Sequence, residues 1–238
     1  MVAFATRIWL GVVLTVGAVA SAGAQQPDRL RDMPTIAAAL GVTCEYCHAR
    51  RGGPPPATSS GKPRQDVARE MIAMTRALNA TVEAATGKAA NEAVSVQCVT
   101  CHRGVPIPRQ LVDVLWQTTL RQGAAAGVAQ YRELRAQFYG TQSYDFSEGT
   151  LIAIAQRIGQ LRPDDAIALM ELNLEFFPRS ARSYVTLAIA QSRGDEVAAI
   201  ASLKRALEIS PDDGEVKGRI YQLEQLVERQ QRRERTQP

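Results

Sequence analysis

The stretch PDDAIALMELNLEFFPRSARSYVTLAIAQSRGDEVAAIASLKRALEISP occupies residues 163–211. It contains one pattern twice. Ala166, Leu174 and Pro178 recur as Ala199, Leu207 and Pro211, each 33 residues on. Apolar residues follow helical spacing, and strand-like alternation is absent from Leu111 onward. A self-similar period of this length marks stacked helix pairs, each burying its apolar face against the next. The fold class expected is all-α.

Working outward, Gly194-Asp195 marks the turn between two helices of the second copy, and Arg162-Pro163 stands there in the first. Small residues where paired helices touch, with a proline ending the second helix, resemble the tetratricopeptide repeat, one residue short of its usual period. A third, degenerate helix pair is expected within Val112–Tyr139, and Val216–Arg229 reads as a capping helix. Residues 111–230 therefore form a helical-repeat unit. Residues 231–238 are a polar tail that reads as a fraying, solvated helix end.

Upstream the character changes. Pro106 and Pro108 close a segment, residues 25–110, that holds every cysteine and histidine of the chain. Arg51 to Pro63 is rich in Gly, Pro and Ser and reads as loop. From Asp66 to Asn79, Val67, Met71, Met74 and Leu78 recur at helical spacing, with Asp66 as the expected N-cap.

Further upstream, Arg7 precedes an apolar run from Ile8 to Ala20, then Ser21-Ala22-Gly23-Ala24. This is the layout of an export signal, with cleavage expected after Ala24. The run is short for a membrane span. A retained anchor and a buried N-terminal helix are the alternatives. No other segment reads as a span, so the mature chain is expected in the periplasm. A net charge of +4, with no basic stripe interleaved with aromatics, gives no reason to expect a nucleic-acid partner.

The chemistry lies in Cys44-Glu45-Tyr46-Cys47-His48 and Cys98-Val99-Thr100-Cys101-His102. C-x-x-C-H is the attachment pattern for c-type haem. Two thiols about one turn apart reach the vinyl groups on one edge of the macrocycle, and the histidine that follows ligates iron. A four-cysteine zinc site or two disulfides would leave the histidines unexplained. A redox C-x-x-C would be expected beside a βαβ pattern, which is missing. Two covalent haem c groups are the expected cofactors.

The chain has two histidines, both in the motifs. No further histidine can supply a sixth ligand from within the chain, and methionine is the strong candidate. Met1 leaves with the signal, and Met170 lies on a packed repeat helix. Met33, Met71 and Met74 remain. Met71 and Met74 lie one turn apart on one helix face, so one is a candidate ligand and the other packs beside it.

Residues 28–104, roughly a third of the chain, resemble the haem-binding segments of the multihaem cytochrome subunit of photosynthetic reaction centres and related small dihaem cytochromes. Leu40-Gly41-Val42-Thr43-Cys44-Glu45-Tyr46-Cys47-His48 is similar to that family's L-G-V-x-C-x-[YF]-C-H block. Met74-Thr75-Arg76-Ala77-Leu78-Asn79 is similar to its M-x-R-x-[LI]-N block. The resemblance implies that Met74 is the sixth ligand of the haem held by Cys98, Cys101 and His102, with Met71 as rival. It implies Met33 as the sixth ligand of the haem held by Cys44, Cys47 and His48. Pro34 disfavours helix at Met33, which places that residue at a helix start. The reaction-centre subunit carries four haems against two motifs here, so a photosynthetic role does not follow.

Residues 25–110 carry 11 Lys and Arg against 7 Asp and Glu, an excess that four haem propionates would offset. Arg50, Arg51, Arg103 and Arg109 flank the motifs and suit carboxylates, or are solvated surface groups. The expected function is single-electron transfer with a redox partner protein, the repeats docking that partner or supporting the haem segment. The rivals are a peroxidase-like haem enzyme, with Glu70 or Arg76 acting near an open iron, and a haem-based redox or gas sensor.

Overall fold

The computed structural model describes residues 32–50 and 53–236. The export signal and Arg51 lie outside the described residues. Those described are helical, with one isolated antiparallel bridge, Ala57 to Pro63, inside the Gly/Pro-rich loop. No described helix is long and apolar enough to cross a membrane.

Helix α1 spans Met33–Leu40. The Asp32 carboxylate caps it by accepting from the Thr35 amide, and Met33 and Pro34 form its first turn, where a missing N–H costs nothing. Gly41, at φ 65, ends it in the left-handed conformation. Helix α2 spans Arg64–Thr86. It begins two residues before the expected cap: Pro63 is the N-cap, and Asp66 sits inside the first turn, paired with Arg69. A short helix, α3, spans Cys98–His102.

Seven helices follow: α4 Leu111–Gln122, α5 Ala124–Phe138, α6 Glu148–Ile158, α7 Pro163–Phe176, α8 Ala181–Gln191, α9 Glu196–Ile209 and α10 Gly214–Thr236. The 33-residue period holds in their boundaries. α6, α8 and α10 start at 148, 181 and 214; α7 and α9 start at 163 and 196. Each of these helices packs on the next. Ala166 and Ala199 are buried at the contacts. A Cβ on Gly159 would meet that of Ala166 at 3.2 Å, so the α6–α7 turn needs a small residue there. α4 and α5 form a helix pair within 111–138. The helix that should cap the stack extends through the polar tail to Thr236, supported by exposed i,i+4 pairs such as Glu228 with Arg232.

One core runs from α4 to α8 around Leu115, Tyr131, Leu151, Ile154 and Leu169. A second joins α8, α9 and α10 through Ala188, Leu203 and Val216. Met170 is fully buried in the first, as its helix face implies.

Before Leu111 the packing is different. Among the described residues of that segment only Ala39 and Val105 are buried hydrophobics. Met33, Met74, Leu78, Val99 and Ile107 stand exposed. Residues 32–110 thus bury almost no apolar core of their own. Segments of this size usually need a metal, a disulfide or another staple to hold a fold.

Candidate haem site

The first motif is a single 3-10 turn over Cys44–Tyr46, closed by the Cys47 and His48 amides donating to the Cys44 carbonyl at 3.2 and 2.9 Å. The second motif is α3 itself. Its start is fixed by the Gln97 amide donating to Thr100 Oγ1 at 3.0 Å. In each motif the two cysteines sit about one turn apart and the histidine follows directly, as thioether attachment and axial ligation require.

All four thiols are free of disulfides. Burial pushes the Cys47 and Cys98 thiols above the ordinary cysteine value, and neither is an activated thiolate. Among the described residues no three His, Cys, Asp or Glu side chains gather as a metal cluster.

The motifs are joined at a glycine contact. The Gly104 amide donates to the Ala39 carbonyl at 2.8 Å. A Cβ on Gly41 would fall 2.1 Å from the Gly104 carbonyl oxygen. α1 therefore lies directly on α3. From the other side, Asn79 of α2 clamps the chain just before the second motif. Its amide donates to the Val96 carbonyl at 3.0 Å, and its oxygen accepts from the Val96 amide at 2.7 Å.

Between α1, α2 and α3 lies a cavity of about 270 Å³. Its wall takes Cys47 from the first motif, Cys98 and His102 from the second, Ile36 and Leu40 from α1, and Val67, Met71 and Ile72 from α2. The wall contains no carboxylate. The lining, mostly apolar with two thiols and an imidazole, in a segment that has little core, suits in its chemistry the edge of an apolar macrocycle carrying iron. His102 is buried, with Nδ1 3.0 Å from the Val105 carbonyl, which accepts from a protonated Nδ1 and leaves Nε2 free for iron. His48 is exposed, and its Nδ1 lies 3.0 Å from the Gln65 side-chain amide.

The methionines separate. Met71 lines the cavity, as His102 does. Met74, one turn on, is 44% exposed and lies outside that wall. Met33, the first residue of α1, is also exposed.

A second, larger cleft of about 440 Å³ lies where α3 meets the helical half. Cys101, Arg103, Arg109, Tyr144 and Asp145 are among its lining residues. The Ser143 hydroxyl donates to the Arg103 carbonyl, tying the two halves together. Arg103 and Arg109 are thus placed near a motif cysteine, where carboxylates of a bound group could pair with them. Arg50 is exposed beside the first motif. Glu70 is held by Lys62 at 2.6 Å on the outer face of α2 and does not line the cavity.

No sequence pattern points to the contacts of Gln65, Gly41 or Asn79. Gly41 and Asn79 stand in the two similar blocks, which mark their positions but not their contacts.

Residues 42–150 match the family described as the photosynthetic reaction centre cytochrome C subunit. That stretch is c-type cytochrome-like, which implies covalently bound haem c and electron carriage. The match holds both C-x-x-C-H motifs, α2 and the α4–α5 pair, and starts after Met33. It runs about 40 residues past the boundary expected at residue 110. No curated protein matches the chain.

Proposed function

We propose that the chain is an exported, periplasmic dihaem c-type cytochrome that passes single electrons to and from a partner protein. The observation that carries this reading is the apolar cavity walled by Cys47, Cys98 and His102 in a segment with almost no core of its own. Cys44 and Cys47 would hold one haem and Cys98 and Cys101 the other, with His48 and His102 as the axial histidines. Bound haem iron supplies a one-electron couple at each site.

The protein's own part is to hold the ligands and exclude water. Val105 fixes the ring of His102. Leu40, Val67 and Ile72 keep the cavity wall apolar, and Arg103 and Arg109 offer guanidinium groups to propionates. α2 would supply a thioether ligand to the haem held by Cys98 and Cys101. Met74 is the residue that the family resemblance assigns. Met71 shares the cavity wall with His102, and on that ground we assign the ligand to Met71. Met33, on an exposed helix start, is assigned to the His48 haem.

In the helical half, α4 and the loop before α6 brace the second motif. The tetratricopeptide-like pairs from α6 to α10 remain for docking.

The test is the absorption spectrum of the haem-loaded chain. A thioether on low-spin ferric iron gives a weak far-red band. The band is expected to weaken by the share of one haem in Met71→Ala and to persist in Met74→Ala. The reverse result returns the ligand to Met74. A high-spin wild-type spectrum that shifts on adding peroxide or carbon monoxide would sink the electron-carrier reading in favour of an open iron.

A further inference from the structure

The two motif histidines are held by different kinds of partner. His102 is buried, and its Nδ1 faces the Val105 carbonyl, a main-chain group three residues on in the same loop. That carbonyl is fixed by the fold, since the Val105 amide donates back to the His102 carbonyl at 3.0 Å. His48 is exposed. Its Nδ1 instead meets the side-chain amide of Gln65, 17 residues away, at 3.0 Å.

The position of Gln65 is built rather than accidental. It lies in the first turn of α2, beside Arg64. Arg64 donates to the Tyr46 carbonyl at 3.2 Å and places its guanidinium 4.0 Å from the centre of the Tyr46 ring. Two consecutive residues of α2 therefore grip the first motif, one on Tyr46 and one on His48. The amide can serve either tautomer. Its Nε2 donates to a bare Nδ1, and its Oε1 accepts from a protonated one. An imidazole that ligates through Nε2 carries its proton on Nδ1, so Oε1 is then the group that faces it.

We propose that Gln65 is a positioning residue for His48, and that it sets the reduction potential of the haem at the first motif apart from that at the second. The proposal rests on the dihaem reading given above. A stronger acceptor on Nδ1–H makes the imidazole a better donor and favours ferric iron, so the potential falls; loss of the acceptor raises it. α2 thereby serves both haem sites: its first turn tunes the axial histidine of one, and Met71, about 9 Å further along at 1.5 Å per residue, lines the cavity at the other.

The experiment is a spectroelectrochemical titration of the haem-loaded chain, wild type against Gln65→Leu and Gln65→Glu. The wave belonging to the first motif is identified as the one missing from a Cys44→Ser, Cys47→Ser double variant. In Gln65→Leu that wave is expected to move to higher potential, and in Gln65→Glu to lower, with the other wave fixed in both. The leucine variant adds no charge, so its shift separates loss of the hydrogen bond from a simple field effect. Two wild-type waves with the first unmoved by Gln65→Leu, or with both waves moving alike, overturn the proposal alone. A wild-type chain with fewer than two haems overturns it together with the dihaem reading.

Discussion

Gly41 carries two demands at once. Its φ of 65 lies in the left-handed region, and the space a Cβ would need is taken by the Gly104 carbonyl oxygen at 2.1 Å. The first costs an ordinary residue about 1–2 kcal/mol. The second cannot be relieved by turning a flexible side chain, because the obstacle is main chain. Gly41→Ala must push α1 off α3 and stretch the Gly104-to-Ala39 hydrogen bond. We expect a loss on the order of 3 kcal/mol, read as a lower Tm and reduced haem incorporation. Gly104 supplies the control. Its φ is 87, but its Cβ would meet only the Ser143 hydroxyl, at an ordinary 3.5 Å. Gly104→Ala should therefore cost only the backbone term and be clearly milder. Equal effects of the two variants would show that the contact with Gly104 contributes nothing. The L-G-V block marks Gly41 in the sequence, yet its partner is 63 residues away and no local pattern points to it.

At the scale of elements, α2 organises the haem segment. Met71, Thr75 and Asn79 form a stripe of four-residue steps along one face. Thr75 is buried, Met71 lines the cavity, and Asn79 pins Val96. The Asn79 clamp uses both ends of one side-chain amide, so Asn79→Ala leaves a main-chain N–H and C=O at Val96 without their partner. The expected cost is about 1–3 kcal/mol, with the second haem attached less efficiently than the first, measured by mass spectrometry of the haem-loaded species. Asn79→Asp keeps the acceptor and loses the donor, and should fall between. An unchanged haem ratio in Asn79→Ala would mean that α3 holds its place without the clamp. The apolar spacing of Val67, Met71, Met74 and Leu78 made this helix legible in sequence. Its start at Arg64 was not, because Asp66 is a good cap by type, whereas here Pro63 is favoured by its fixed φ before the first turn. The stretch after Asn79 has weak amphipathicity, and the helix continues through it to Gly87, whose φ of 64 ends it. The cavity was not legible at all, since its walls come from three helices and a loop that only the fold brings together.

The whole molecule divides by where its core lies. The 33-residue period was readable because Ala, Leu and Pro recur at fixed places, and the helix starts at 148, 181 and 214 keep that register. Buried apolar side chains become frequent only from Leu111. The family match crosses that line to residue 150, and so does the structure, through the Ser143 contact and the cleft beside Cys101. The Ser143 contact is polar, whereas the helical half holds two apolar cores of its own along the stack. The helical half should then stand without haem, and the haem segment should not. Replacing Cys44, Cys47, Cys98 and Cys101 by Ser removes covalent attachment without touching either core. Limited proteolysis of that variant should cut within residues 32–110 and leave a resistant fragment holding α4 to α10. Its thermal melt should keep the transition of that fragment and lose the one that haem supports. If the four-serine variant instead unfolds in a single step well below the loaded protein, with no resistant fragment, the two halves form one cooperative unit. The α4–α5 pair would then depend on haem attachment for its own stability.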